Sequence, residues 1–379
     1  MSARIYLDHA ATTPMIAEAR DTYVQAFERD YNASSIHSEG RESHAKLDEA
    51  RTRVANVLSL PRRLVRFTSG GSESDALAIL GLARAHRRGK RRRILTGAIE
   101  HHAVLHACDA LANEDFEIVI LPVDSNGIID EESYAAQLDE RTLLVSIHLA
   151  NNEIGVIEPI AALAARAHEA GAYLHCDAVQ AARWLDLSLE SLGADLLSLS
   201  GHKFGGPKGV GVLAMRSELP LEPLIFGGGQ EFGLRAGTEN LPAIVAFTVA
   251  FESAVAQHGI LAQAVTERRK SFESDLSARI PGLCVNAATS PRLPNISNIS
   301  IPGVDSEALL MRLDLDGIAA SAGSACTSGV IEPSHVIAAL GLPPALQRGV
   351  LRLSLAPQTT SEELADAATI LAGAVERVR

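Results

Sequence analysis

Ser200-Gly-His-Lys203 closes a short apolar run, Leu196–Leu199, that reads as a buried strand. A lysine at the mouth of a buried strand is unusual, because an ammonium taken out of water without a partner is costly. Desolvation lowers the pKa of such an amine and makes it a nucleophile able to form a Schiff base with a carbonyl. Only five of the 34 basic residues are lysines, and two of the five, Lys203 and Lys208, stand in this stretch. A lysine in a surface loop would look the same locally, so the rest of the chain has to supply a pocket around the amine.

Several other strand ends carry groups that do chemistry. Ser69-Gly-Gly-Ser-Glu-Ser-Asp75 is a glycine-rich turn opening a helix, with Ser72 and Asp75 at capping-box spacing. The free N–H groups and positive dipole end of such a turn suit a phosphate, although many such turns are only caps. In Ile99-Glu-His-His-Ala103, His101 has the chemistry to stack or to shuttle protons. His102 and His106 have the i, i+4 spacing of metal ligands, but no third ligand stands near them and no metal site is expected. Asn151 and Asn152 follow one strand, and Asp177-Ala-Val-Gln180 follows another. A buried acid at a strand end needs a cation, and a pyridinium nitrogen or an arginine would each serve. The four cysteines, Cys108, Cys176, Cys284 and Cys326, lack CxxC spacing, so neither a disulfide framework nor a zinc site is indicated. Cys176 lies in an apolar run and reads as core, whereas Cys326 lies among small residues with no apolar face around it.

The elements that must position these groups follow from the pattern. A chain of 379 residues is long enough for a large core and for two domains. Between residues 60 and 215, apolar runs at 64–68, 93–96, 116–121, 142–147, 172–176 and 196–199 read as strands, with helical patterns at 76–85, 104–112 and 160–170. This alternation predicts an α/β fold with a mostly parallel sheet and a site beyond the carboxyl ends of its strands. Helices are expected at 241–258 and 262–279. Past Pro281, strands near 298–301, 318–321 and 350–354 with helices at 306–313, 334–340 and 361–378 describe a smaller α+β unit, joined by the N-terminal segment. The expected boundaries are 15–257 for the large unit and 1–14 with 258–379 for the small one. A net charge of −12 argues against coating nucleic acid or anionic membrane. No apolar stretch approaches membrane-spanning length and no signal-peptide core is present, so a cytoplasmic location is expected. The basic run Arg84–Arg93 reads as a solvated helix end, with a docking patch as the minority alternative.

Together, a Schiff-base amine, a buried acid, a histidine and a phosphate cradle are what holds pyridoxal 5'-phosphate. The sequence also resembles the cysteine desulfurases of the NifS/IscS type, within the class V aminotransferase group. The resemblance runs nearly end to end, through Tyr6-Leu-Asp-His-Ala-Ala-Thr-Thr-Pro14, Phe67–Asp75, Glu100-His101, Asn151–Gly155, His175–Gln180, Ser200–Lys203, Arg235-Ala-Gly-Thr-Glu-Asn240 and Ser321-Ala-Gly-Ser-Ala-Cys-Thr-Ser328. It implies the type I fold of pyridoxal-phosphate enzymes, with a mostly parallel seven-stranded sheet flanked by helices and a smaller α+β domain. It implies a homodimer that takes L-cysteine, releases L-alanine and passes sulfur to an acceptor protein, without direct nucleic-acid binding. Lys203 would hold the cofactor and later move the α-proton. Asp177 would pair with the ring nitrogen, His101 would stack on the ring, and Gln180 would contact its oxygen. Gly71, Ser72, Ser200 and His202 would hold the phosphate, with Thr238 reaching in from a second subunit. Asn152 and Arg352 would receive the substrate carboxylate, and Cys326 would be the thiol that accepts sulfur as a persulfide.

Two positions depart from the family pattern: His9 stands where Asn or Tyr is common, and Asn32-Ala-Ser-Ser35 replaces Asn-Pro-Ser-Ser. The chain ends at Arg379, where relatives devoted to housekeeping cluster assembly carry a longer tail. The resemblance therefore leaves iron–sulfur assembly, transfer-RNA thiolation and DNA phosphorothioation open as destinations for the sulfur. A selenocysteine lyase or another enzyme of the same group is the alternative reading.

Overall fold

Runs of Val, Ile and Leu that are apolar on both faces are stable as strands only when both faces are covered, and such runs build the central sheet. The computed structural model describes residues 4–29, 31–322 and 333–379. In chain order the strands are β1 (Ile5–Tyr6), β2 (Val65–Thr68), β3 (Arg93–Gly97), β4 (Glu117–Leu121), β5 (Thr142–His148), β6 (Tyr173–Asp177), β7 (Leu196–Ser200), β8 (Gly211–Met215), β9 (Cys284–Val285), β10 (Ile296–Ser300), β11 (Ile318–Ala319) and β12 (Val350–Ser354). Seven of them form one sheet in the order β2-β8-β7-β6-β5-β3-β4. The pairs from β7 through β6, β5 and β3 to β4 are parallel, and β8 runs antiparallel to both β7 and β2. The fold is thus α/β with a seven-stranded, mostly parallel sheet, as the resemblance implied. The alternating pattern alone yielded six strands. It missed β8, which follows the turns after Lys203 without a helix between them.

Other expectations need correction. The helices expected at 241–258 and 262–279 are one helix, Leu241–Arg279. Gly259 sits inside it at a cost of about 1 kcal/mol relative to alanine, and packing at both ends outweighs that. Its first half buries Ile244, Phe247 and Phe251 in the sheet's core, while Val265, Phe272 and Leu276 enter a second core with β10 and β12. This helix is also long and apolar enough to cross a membrane by length and composition, contrary to the expectation that no stretch is. Of its most apolar window, 39% is buried inside the protein. The capping box at Ser72 and Asp75 does not form. The helix starts two residues earlier, with Gly70 in place of Ser72 as its N-cap and no side-chain cap, and Asp75 is buried.

The basic run at 84–93 is mostly consumed in structure. Arg84 pairs with Glu114, Arg87 with Glu222, and Arg93 with Glu117 and Asp139, while Arg91 and Arg92 bond backbone carbonyls. That leaves little free charge for a docking patch.

The segment carrying Thr238 is held at its base by a buried fork. Arg51 donates to the two carboxylate oxygens of Glu231 at 2.6 and 2.7 Å, and Glu231 also accepts the Phe67 N–H at 2.9 Å. A bidentate guanidinium–carboxylate pair is both strong and directional. It fixes Glu231 and Phe232 in left-handed backbone, with φ of 48° and 58°, a conformation that non-glycine residues enter only when their surroundings impose it.

Candidate active site

The ends of β5, β6 and β7 and the segments after β2 and β3 meet at one edge of the sheet, and there they enclose a cavity of about 450 Å³. Nine of the twelve residues singled out from sequence line it: Gly71, Ser72, His101, Asn152, Asp177, Gln180, Ser200, His202 and Lys203. Arg352 and Thr238 lie outside its lining, and Cys326 lies outside the described residues. A wider hollow of about 850 Å³ lies elsewhere, walled by Leu47, Arg51, Arg62 and Phe232 among others, but no lysine faces it. Size does not decide between the two; convergence of reactive groups does.

Lys203 follows β7 in a short 3-10 turn, Gly201–Lys203. Its Nζ donates to the carbonyl oxygens of Ala10 and Ala11 at 2.8 and 2.9 Å. Burial and then the Arg352 charge push its pKa down to about 8, against the opposing pull of Asp177 and Asp8. The free amine is therefore abundant at a pH where an ordinary lysine is almost wholly charged. Uptake of pyridoxal phosphate by the apoprotein should quicken with pH and level off above about 8. Stopped-flow absorbance across pH 6.5–10 measures this, and a rise that continues without a plateau to pH 10 would contradict it.

Asp177 ends β6. Its Oδ1 accepts the Val179 N–H at 2.9 Å, and its burial raises its pKa against the pull of that bond and of the His148 and Lys203 charges. Asp75, on the helix after β2, is pushed well above the ordinary carboxylate range by burial and by Asp177. His175, on β6 beneath, is driven down to about 3 by burial and shares hydrogen bonds with Ser146 and Ser198 at 2.8 and 2.9 Å. The His175–Asp75 approach at 3.7 Å thus brings an imidazole that burial keeps neutral against an acid that burial pushes toward its protonated form. Asp177 is the acid of the two placed to meet a cation.

The phosphate side is built from backbone and small side chains. A Cβ on Gly71 would stand 2.7 Å from Val179 Cγ2 and 3.4 Å from Ser200 Cβ, so the closeness of these walls requires glycine. His202 is lowered to about 4, by burial first and then by Lys203 and Lys208, and it shares a 3.2 Å hydrogen bond with Thr12. It would meet an anion as a neutral N–H donor. His101 caps the helix that begins at His102, its Nδ1 accepting the Ala103 N–H at 3.1 Å. The surrounding walls and then Lys203 hold its imidazole below the usual pKa, so it stands as a base. His102 and His106 stack on one another, and His335 lies against His102. No metal-binding group of three occurs among the described residues.

Sequence reasoning missed how the N-terminal segment serves the site. Besides taking Lys203, Ala10 accepts from the Gln180 amide at 2.9 Å, and Asp8 accepts from Arg352 at 2.8 Å. Arg352, buried on β12, also donates to the Asn152 carbonyl at 2.9 Å, which ties the two proposed carboxylate receptors together. A further omission is His148. It ends β5 in register with Asp177 and lines the same cavity. The signal was a titratable residue closing an apolar strand, but the expected strand stopped at Ile147.

Comparison with known proteins follows the same line. The family model for class-V aminotransferases matches residues 5–366. A cysteine desulfurase IscS of Dictyoglomus turgidum is 42% identical over 381 residues, covering 100% of this chain and 96% of that protein. Among solved structures, a NifS-like protein superposes with a TM-score of 0.92 at 33% identity, covering 99% of this chain and all of the other. SspA in complex with cysteine superposes with a TM-score of 0.82 at 32% identity, covering 93% of this chain and 99% of the other.

Proposed function

The chain belongs to the class-V aminotransferase family and is a pyridoxal-phosphate-dependent cysteine desulfurase, and from that premise we propose that the cavity around Lys203 is its active site and Cys326 its sulfur carrier. The observation carrying this reading is the convergence of a desolvated amine, a buried acid and a glycine-walled cradle on one cavity. Those are donors that fit pyridoxal phosphate. Lys203 would bind its aldehyde carbon, Asp177 its ring nitrogen, His101 its ring face, Gln180 its ring oxygen, and Gly71, Ser72, Ser200 and His202 its phosphate. The cofactor, when bound, supplies an electron sink that labilises bonds at the substrate's α-carbon and then at the carbon bearing sulfur.

The chain's own residues do the rest. Arg352 and Asn152 receive the cysteine carboxylate; the Arg352 guanidinium, already paired with Asp8, offers a planar fork suited to that anion. Lys203 Nζ, a free amine near pH 8, takes the α-proton and returns a proton to carbon. His101 serves as a neutral base at the outer wall. The Cys326 thiolate attacks the substrate sulfur, the carbon–sulfur bond breaks with its electron pair going to carbon, and protonation there yields alanine. The enzyme keeps the sulfur as a persulfide, with thiol sulfur oxidised and carbon reduced by the same two electrons.

Two further readings belong to this proposal. The domain division, 15–257 against 1–14 with 258–379, is supported by separate apolar cores that share the long helix. The homodimer is supported by Thr238, exposed on a segment that also displays Phe226 and Phe232. The sulfur acceptor is a protein of iron–sulfur assembly, transfer-RNA thiolation or DNA phosphorothioation, as the resemblance implies. The direct test is purified protein supplied with pyridoxal phosphate, L-cysteine and a thiol reductant. We expect a yellow protein and alanine and sulfide in equal amounts. A colourless protein, or one that consumes cysteine without making alanine, overturns the reading.

A further inference from the structure

The active-site reading uses one buried acid, yet four are buried in this part of the sheet: Asp75 and Asp177 line the cavity, and Glu100 and Glu158 lie outside its lining. Two cations face this group, Lys203 and His148. Glu100 commits both carboxylate oxygens to His148, with Oε2 accepting the His148 backbone N–H at 2.9 Å and Oε1 lying 2.9 Å from the ring Nδ1. His148 is 3% exposed and pairs in register with Asp177 across parallel strands, so both side chains project from the same face of the sheet. Nothing in the mechanism above employs it.

We propose that His148 is a positioning residue: clamped by Glu100, it stands as an imidazolium beside Asp177 and keeps that carboxylate ionised for the cofactor's ring nitrogen. The inference rests on the assignment of Asp177 in the preceding section. A buried Glu100 carboxylate needs a cation within reach, and among the described residues His148 is the one that pairs with it. Burial alone would lower the His148 pKa, but Glu100, then Glu158 and Asp177, raise it to about 9. The positive charge is therefore present below that pH and lost as pH rises through it. Asp177 has the opposite need. Burial pushes its proton affinity up, and the nearby Asp75 would add repulsion if it ionised, while the Val179 N–H, His148 and Lys203 pull it down. Lys203 ceases to be a free ammonium when it condenses with a carbonyl, whereas His148 takes no part in that chemistry and its charge stays.

The test uses the full-length protein, apo and loaded with pyridoxal phosphate carrying nitrogen-15 in its ring. Histidine-ring NMR of the apoprotein should show one imidazole still protonated at pH 8, absent from His148→Gln. In the loaded protein, His148→Gln and Glu100→Gln should each move the deprotonation of the cofactor ring nitrogen down by about one pH unit, the effect of removing one nearby opposite charge. Neither residue is assigned a contact with the substrate carboxylate, so both variants should change kcat more than the KM for cysteine. A merely structural role would not move the ring-nitrogen titration in both. Unmoved titration in the two variants, or a wild type in which none of the 13 histidines is charged at pH 8, overturns the proposal. Should neither variant fold, His148→Asn, which likewise carries no charge, takes their place in both measurements, because His168 also lies 2.9 Å from a carboxylate and the variant is what tells the two imidazoles apart. Failure of the active-site reading would look different, as a wild type that takes up no cofactor.

Discussion

Lys203→Ala is expected to lower alanine formation from cysteine by about 10³-fold or more, because it removes both the covalent anchor and the proton carrier. A positioned acid–base group alone is worth about 10²- to 10⁴-fold. The two losses fall on the same nitrogen, so they are not additive, and a second substitution at His101 should add little. Noncovalent cofactor binding should survive, since Asp177, Gln180 and the glycine-walled cradle at Gly71 are untouched. The measurement pairs an alanine assay with borohydride reduction and mass spectrometry. Wild type should retain one cofactor mass per chain after reduction, and the variant none. Retained covalent mass would move the anchor to Lys208, which lines the same cavity.

Much of this site was legible in the sequence for a physical reason. In a parallel sheet the residues after each strand share one edge, so Asp177, Lys203, His101 and Asn152 could be placed together from strand ends alone. What remained hidden depended on segments distant in sequence. That Ala10 and Ala11 receive the Lys203 ammonium cannot be read from Tyr6–Pro14, because backbone carbonyls carry no side-chain signature. The reversed strand β8 was hidden because a glycine-rich turn, not a helix, precedes it. The break expected at Gly259 failed for the opposite reason: local propensity there is weaker than the packing of two cores on one helix. His148 escaped because its strand was ended one residue early, and that residue is the one in register with Asp177.

Position along the sheet also explains how charge is divided. Asp75 and Asp177 are near neighbours in a dry environment, and like-charged buried carboxylates do not both ionise. Burial pushes both acids up, and it is the acid at the strand end that has the Val179 N–H and two cations beside it to oppose that. A cofactor nitrogen protonated opposite Asp177 is thus favoured by an arrangement extending to Glu100.

Cys326→Ser is the second substitution with a very large expected effect: sulfide and alanine production should fall by about 10³-fold or more, while cofactor uptake and its visible absorption remain as in wild type. The attacking group must be a thiolate, and a serine hydroxyl is both a poor nucleophile at neutral pH and unable to form a persulfide. None of the other three cysteines can take over. Burial pushes the Cys108 thiol up to about 12 and the Cys176 thiol well above its usual value, so neither is a thiolate at any working pH. Cys284 is exposed, but it stands on β9 at the edge of the three-stranded sheet and does not line the cavity. Treating the wild type with a sub-stoichiometric amount of cysteine, then alkylating and mapping the peptides, should place the extra sulfur on the Cys326 peptide alone. Persulfide on Cys284 in the variant, with alanine still formed, would transfer the carrier role to that thiol and leave the Lys203 cavity as the part of the proposal that stands.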